Sequence, residues 1–533
     1  MLIAATCVPA FAGNVKGRVT ADGKPLAGVI VSDGIEFTRT DSEGRYDMLS
    51  NKSTGTVFIT VPSGYASVLK DNFRPAFWQY LNCAEDQDEI HDFQLVKEDQ
   101  DVYTILFPAD IHLTNDPRRQ DLRRFREKAL PVIRTLAQNA RGPVYSANLG
   151  DTTHDVYWYE YDFNESDAVR FFQDNDYPTR MFTVMGNHDH DPSIVGKDVD
   201  NRAEWRFRDC WGPKNYSLNI GGDHWIFLDD IYYINVEGKG KKAPGVKGDR
   251  SYEHKFTKAQ MAWLEKDLSF VSPDAGVYIC CHCPALRGDS GKSYLPEKQL
   301  KAIDEMGAKF DRGITFFAGH VHTMEHMSNP DFPHIYNISM PSVAGTLWET
   351  PVDWPIYNSD GGDAGVVYAT FRKGVDPEFH YMSYDHGESY YRIYDMNEVG
   401  KAYKASDAVK KQQEMFPDTR LDYGQKKWKN YVFVNFWGWR PGETVEAYEN
   451  GKKLTMEKHN YEDPVKNFSY DLIVLSGTVQ HHRPSAKSSC HHMYEFKCRT
   501  SNKPVTVKFL DKDGNVRFEE TITRPRAFNP SMK

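Results

Sequence analysis

Five short apolar runs in the middle of this 533-residue chain each end in groups able to bind a metal or carry a proton. Phe107-Pro108-Ala109 runs into Asp110-Ile111-His112, and Asn148-Leu149 into Gly150-Asp151. Val184-Met185 runs into Gly186-Asn187-His188-Asp189. Cys280-Cys281 leads to His282, and Phe317-Ala318 to Gly319-His320-Val321-His322. Any one of these carries little weight, because a lone Asp or His is usually a hydrogen-bonded structural residue. The set carries a great deal. A core strand gains nothing by ending in Asp or His, and burying an unpaired charge costs on the order of several kcal/mol. Five such ends converging accumulate that cost unless cations pair them. Carboxylate oxygen with imidazole nitrogen suits divalent Mn, Fe or Zn, and the lack of thiolates in the set disfavours a closed structural zinc site.

The order D-x-H, G-D, G-N-H-D, H, G-H-x-H resembles the calcineurin-like metallophosphoesterase family over about Asp101 to Gly345. The resemblance implies two divalent transition-metal ions. Asp110, His112 and His322 would hold the first, Asn187, His282 and His320 the second, and Asp151 would bridge them. It also implies hydrolysis of phosphate mono- or diesters by a metal-bridging hydroxide, with cations about 3.5–4 Å apart clamping the phosphate oxygens. His188 is not a ligand in this scheme. It would protonate the leaving alkoxide, with Asp189 orienting its ring. Many members place Asp or Tyr three residues after the bridging Asp, where this chain has His154. An iron-tyrosinate centre of the purple acid phosphatase kind is therefore not expected, and metal contact by His154 stays open. The Gly-Asn-His-Asp-His-Asp run also resembles the motif of secreted 5′-nucleotidases, a rival substrate class. A rival outside the enzymes is an envelope protein that binds glycan and keeps a relic hydrolase scaffold.

The elements that must position these groups read as an α/β layered core, two sheets flanked by helices, over residues 99–345. Strands are expected at Val102 to Pro108, Val144 to Leu149, Met181 to Val184, Trp225 to Leu228, Val277 to Cys281 and Ile314 to Phe317, with helices at Leu122 to Asn139 and around Gln260 to Leu264. In such sheets the chemistry sits just beyond the carboxyl ends of the strands. Residues 13–98 alternate at period two between turn signals at Asp22-Gly23 and Glu43-Gly44. Their G-x-V, P-L-x-G-V-x-V and T-D-x-x-G-x-Y segments resemble the carboxypeptidase regulatory-like family, a small transthyretin-like β-sandwich. Residues 346–533 predict a mostly β domain. Its strands fall at Val366 to Phe371, Tyr431 to Phe436, Val445 to Glu449 and Val505 to Leu510, with one helix over Glu398 to Met415. Residues 1–12, ending Ala10-Phe11-Ala12, read as a clipped signal peptide, which predicts export to the periplasm or cell envelope and otherwise a cytoplasmic protein.

Composition narrows the partners. With 65 basic and 75 acidic residues the net charge is -10, which gives no basis for a nucleic-acid surface. No run approaches the roughly 18 apolar residues of a membrane span, and 40 % hydrophobic residues exclude a mainly disordered chain. The expected partner is a small-molecule or envelope phosphoester, with glycan or envelope contact through the β domains. Alternation points most of Cys280, Cys281 and Cys283 into the core. His481, His482, His491 and His492 read as structural or pocket-rim residues, because neighbours on a strand face opposite ways. Cys490 and Cys498 are close enough in sequence to bridge across a hairpin. The loop Glu237 to Arg250 reads as a solvated Gly- and Lys-rich segment able to attract an anion. Trp348, Trp354, Tyr357, Tyr157, Trp158, Tyr159 and Tyr161 either stack on substrate or pack between domains.

Overall fold

The computed structural model describes residues 14–238, 243–288, 291–417, 423–459, 462–475, 490 and 492–531. The expected leader, and His481, His482 and His491, lie outside those residues.

Two six-stranded sheets form the centre. The first runs in the order Arg180–Thr183, Val144–Asn148, Val102–Phe107, Gly365–Arg372, Val375–Ser383, Gly387–Glu388. Its first three strands are parallel. The second runs Asn215–Ile220, Asp223–Leu228, Val277–Cys280, Ile314–Ala318, Phe332–Ser339, Glu325–Asn329, with the middle four parallel. These strands are near-continuous apolar runs because both faces are covered. Between the sheets, Phe107 meets Phe317 at 4.6 Å, Trp225 meets Phe371 at 5.1 Å and Phe182 meets Phe227 at 5.7 Å, centroid to centroid. Helices Leu130–Asn139, Glu165–Asp174, Lys258–Leu268 and Glu297–Gly307 each bury one apolar stripe, such as Leu300 and Ile303 of the last.

Beyond residue 345 the outcome differs from the sequence reading. Val366 to Phe371 was expected in the C-terminal domain, yet it pairs antiparallel with Val102–Phe107, from Val102↔Arg372 to Phe107↔Val367. The central sheet therefore draws on strands outside 99–345. A short apolar run records that it is a strand but not its partner, which is set by packing far along the chain.

The N-terminal region has a six-stranded sheet built around Val15–Ala21 facing a four-stranded one, Phe37–Arg39, Ile30–Ser32, Thr56–Thr60 and Trp78–Tyr80. Asp22 and Gly23 both take positive φ, 48° and 75°, as the tight turn demands. This sandwich covers the edge strand Asn215–Ile220: the Asn219 N–H donates to the Val61 carbonyl at 2.8 Å, and Thr60 Oγ1 lies 3.1 Å from Ser217 Oγ. An otherwise open sheet edge is closed.

The C-terminal region has two four-stranded sheets, centred on Tyr431–Asn435 with Met493–Lys497 and on Thr444–Glu449 with Val505–Leu510. The single helix expected over Glu398 to Met415 is two, Met396–Ala405 and Asp407–Met415. Ser406 leaves the helical region (ψ 123°) and its hydroxyl accepts from Val409 N–H, so its capping preference outweighs continuity. Cys490 and Cys498 do not bridge each other. They flank opposite ends of the strand Met493–Lys497, whose five residues span about 17 Å, far beyond disulfide reach.

Candidate metal centre

All five motif loops leave the carboxyl ends of parallel strands and meet at one end of the paired sheets. Asp110, His112 and His322 offer ligand atoms within 4.8 Å of one another, as do Asp151, His282 and His320. Asp151 joins the two groups. Its Oδ1 accepts from the His188 backbone N–H at 2.7 Å, which leaves Oδ2 facing His282 Nε2 at 3.2 Å and His112 Nε2 at 3.7 Å. Asn187 Oδ1 lies 3.1 Å from His282 Nε2 and 3.0 Å from His320 Nδ1.

Neighbouring carbonyls fix which ring nitrogens are bare. His282 Nδ1 lies 2.8 Å from the Leu149 carbonyl and His322 Nδ1 lies 3.0 Å from that of Gly345. A carbonyl only accepts, so both Nδ1 atoms carry a proton, and in the neutral ring each Nε2 presents a lone pair. His322 Nε2 then sits 3.3 Å from Asp110 Oδ1 and 3.1 Å from His112 Nε2. His282 Nε2 faces two oxygens and the His320 nitrogen, 3.3 Å away. Lone pairs and carboxylate oxygens packed this closely repel unless a proton or a cation lies between them. These donors fit two hard-to-borderline cations. Burial alone would raise the Asp151 carboxyl, but His282 and His188 outweigh it and hold Asp151 well below the usual carboxylate range.

The backbone at the site is held in an unusual state. Asp110, His112, Asp151, His320 and His322 all have φ between 48° and 69°. For non-glycine residues this left-handed region costs about 1–2 kcal/mol each. Strain gathered on five candidate ligands marks a functional constraint rather than a turn preference. Gly186 permits the close approach. A Cβ there would lie 2.2 Å from Asp151 Oδ1 and 2.3 Å from Asp151 N, so no larger residue fits beneath the bridging carboxylate.

His188 stands beside this cluster, its ring 5.0 Å from that of His112 and its side chain about one-fifth exposed. The residue that orients it is Asp155, not Asp189. Asp155 Oδ1 lies 2.6 Å from His188 Nδ1, and Arg250 donates to the same carboxylate from Nη2 at 2.8 Å and Nε at 2.5 Å. Asp189 points the other way. Its carboxylate accepts from the N–H groups of Asp151 and Gly186 at 2.8 Å and of Thr153 at 3.3 Å, bracing the loop that carries the bridge. Burial and then the nearby Asp151 charge push Asp189 up to about 7, while burial and then Asp189 push Glu165 well above its usual range. Asp230 braces the opposite side, accepting from the N–H groups of His282 and Cys283 at 3.0 Å.

Sequence reasoning missed Asp155, Arg250 and Arg119. Arg250 belongs to the loop expected to be solvated, yet it is folded in against Asp155. Arg119 Nη1 lies 3.0 Å from His154 Nδ1. A guanidinium only donates, so His154 carries its proton on Nε2, and its ring lies 4.6 and 5.3 Å from those of His188 and His112. The G-D-x-x-H-D spacing was the one available signal for Asp155. Trp348 proves to be packing, buried with its Nε1–H donated to the Ile111 carbonyl at 2.9 Å. Trp158 and Tyr357 are likewise buried, whereas Tyr157 and Tyr161 remain part-exposed beside Arg118 and Arg119. His492 is structural, bridging Asn435 Oδ1 at 2.7 Å and Asp360 Oδ2 at 3.1 Å.

A family model described as calcineurin-like phosphoesterase matches residues 103–324. Companion models for the N terminal and C terminal of calcineurin-like phosphoesterase match residues 13–98 and 336–516. No curated protein matches the chain. Among solved structures, a dimetal phosphatase from Danio rerio is 14% identical, with TM-score 0.31, over 53% of this chain and 99% of that one. A purple acid phosphatase from yellow lupin (Lupinus luteus) seeds is 10% identical, with TM-score 0.35, over 68% of each chain. A 5′-nucleotidase precursor from Thermus thermophilus is 12% identical, with TM-score 0.27, over 52% of this chain and 54% of that one.

Proposed function

The chain belongs to the calcineurin-like phosphoesterase family, and from that premise we propose that it is a hydrolase of small phosphate mono- or diesters that uses two divalent transition-metal ions. One observation carries the reading: Asp151 Oδ2 stands between His282 Nε2 and His112 Nε2, at the junction of two ligand groups. Asp110, His112 and His322 would hold one cation, Asn187, His282 and His320 the other, and Asp151 both. When bound, the cations supply Lewis acidity, which acidifies a water and polarises the phosphoester.

The remaining steps fall to the chain's own side chains. His188 delivers a proton to the leaving-group oxygen, and Asp155 fixes the orientation of the ring, as a carboxylate does for a catalytic histidine. Arg250, donating to both carboxylate oxygens, holds Asp155 in place. His154, held by Arg119, offers a second N–H donor to the phosphoryl oxygens. Tyr157 and Tyr161 flank the approach and give the organic part of the ester a surface to lie on.

The test is a panel of phosphomonoesters, phosphodiesters and nucleotides, with Mn, Zn or Fe ions restored to metal-free protein. Turnover should require metal and should vanish in Asp151→Ala. Metal-independent hydrolysis, or full activity in that variant, would overturn the reading. The ratio between AMP and bis-p-nitrophenyl phosphate separates a nucleotidase from a diesterase.

A further inference from the structure

Beside the second ligand group lies a triad of which the phosphoesterase reading uses only His320. His254, Cys283 and His320 offer ligand atoms all within 4.8 Å of one another. His254 ends the short strand Tyr252–His254, and its ring lies 5.2 Å from that of His320 and 4.4 Å from that of Tyr294. Cys283 is fully buried just past the strand Val277–Cys280, where its N–H groups with Asp230 and its carbonyl accepts from Cys281 Sγ at 3.0 Å. Alternation was expected to point most of the three neighbouring thiols into the core; Cys283 is buried, but past the end of the strand Val277–Cys280, where alternation no longer governs its direction.

We propose that His254, Cys283 and His320 form a third cation site, selective for thiophilic ions such as Zn²⁺ or Cd²⁺, which inhibits by drawing His320 away from the metal pair. One thiolate with two imidazoles is a softer donor set than the carboxylate-rich pair, and it discriminates against Mn²⁺ and Mg²⁺. Binding exchanges the thiol proton for the metal and releases that proton to solvent. His320 is the shared element. Its Nδ1 faces Asn187 and His282, so a cation that recruits the ring into the triad weakens one ligand of the second metal. Excess zinc therefore inhibits where excess manganese does not.

Binding is read without turnover, so only the inhibitory consequence rests on the proposed function. Cadmium titrated into the full-length metal-free chain, with Cys83→Ala removing the part-exposed thiol among the described residues and Cys7→Ala the thiol beyond them, should give the ultraviolet cadmium–thiolate band. Cys283→Ser should abolish it, and His254→Ala should weaken cadmium binding about tenfold or more. Cys280→Ser should leave it unchanged. Because Cys283 is buried and its replacement can disturb folding, the half-buried His254 provides the second arm. A band that is absent in the parent, or that survives both Cys283→Ser and His254→Ala, overturns the site. In the Mn-loaded enzyme, His254→Ala should raise the zinc concentration for half-inhibition about tenfold. An unchanged value overturns the competition for His320.

Discussion

Two buried polar clusters in this molecule use the same residue types and differ in whether they are complete. In the C-terminal cluster around Asp463 the buried carboxylates meet donors. Asp463 receives the Tyr394 hydroxyl at 2.6 Å, Asn435 Nδ2 at 2.9 Å and Val465 N–H at 2.8 Å. Arg392 pairs with Asp363, which also holds His386 Nδ1 at 3.0 Å, and His492 bridges Asn435 and Asp360. None of Asp360, Asp363, Arg392, Asp463 or His492 has a left-handed backbone. Around Asp151 the balance is reversed. Lone pairs face lone pairs and carboxylates, His112 Nδ1 is buried without a partner among the described residues, and five ligands are left-handed. Burial and charge alone would class both clusters as ion networks. Complementarity separates them: one is finished by protein groups, the other is not.

The sharpest way to break this contrast is to remove one carboxylate from each cluster. Asp151→Ala should lower turnover by on the order of 10³-fold or more and deplete bound metal, while costing little thermal stability in metal-free protein. Asp463→Ala should do the opposite. It strands Tyr394 and Asn435 and should cost about 2–4 kcal/mol of unfolding free energy, with metal content unchanged. Loss of metal in Asp463→Ala, or none in Asp151→Ala, would erase the distinction.

The next effect isolates proton delivery from metal binding. His188→Ala should keep both metals and lose about 10²–10⁴ in rate, most for alkoxide leaving groups and least for p-nitrophenolate. Asp155→Asn should follow the same leaving-group pattern. Asp189→Asn should not, because Asp189 braces the bridging loop instead of the ring. If Asp189→Asn alone reproduced the His188 pattern, the assignment of Asp155 would be wrong.

A smaller effect is thermodynamic. An incomplete cluster gains from its ligand, so metal at 100 times its Kd should raise the unfolding free energy by about 2.7 kcal/mol, read as a higher Tm. Asp151→Ala should abolish that gain and Asp463→Ala should retain it.

The candidate ligands were legible in the sequence because each lies within a few residues of an apolar strand end, and strand ends in a parallel sheet share one side. What stayed hidden depends on contacts across the chain. Asp189 is adjacent to His188 and was the natural choice to orient it, but consecutive side chains on that turn diverge, and the orienting carboxylate comes from Asp155 on another loop. Arg250 sits in a Gly- and Lys-rich segment whose composition records solvation on average and cannot show one residue folded inward. The strand Gly365–Arg372 was recognisable as a strand, but its place beside Val102–Phe107 is a fact about pairing. Period-two alternation, which pointed most of Cys280, Cys281 and Cys283 into the core, stops applying at Cys283, where the strand has stopped.

The smallest predicted effect tests the completed cluster by pH. The hydrogen bond from His386 to Asp363 raises the His386 pKa above its ordinary 6.5, with burial opposing it. A histidine whose folded pKa is raised contributes stability that is fully present below the unfolded value and is lost as pH rises through the folded one. The C-terminal cluster should therefore loosen slightly as pH rises above the ordinary 6.5. The difference in Tm between the parent and His386→Gln should be largest below that value and shrink as pH rises above it. Measured in metal-free protein, this removes the metal pair from the comparison. A difference constant with pH would mean that His386 holds Asp363 without titrating, and that Arg392 alone balances the buried carboxylate.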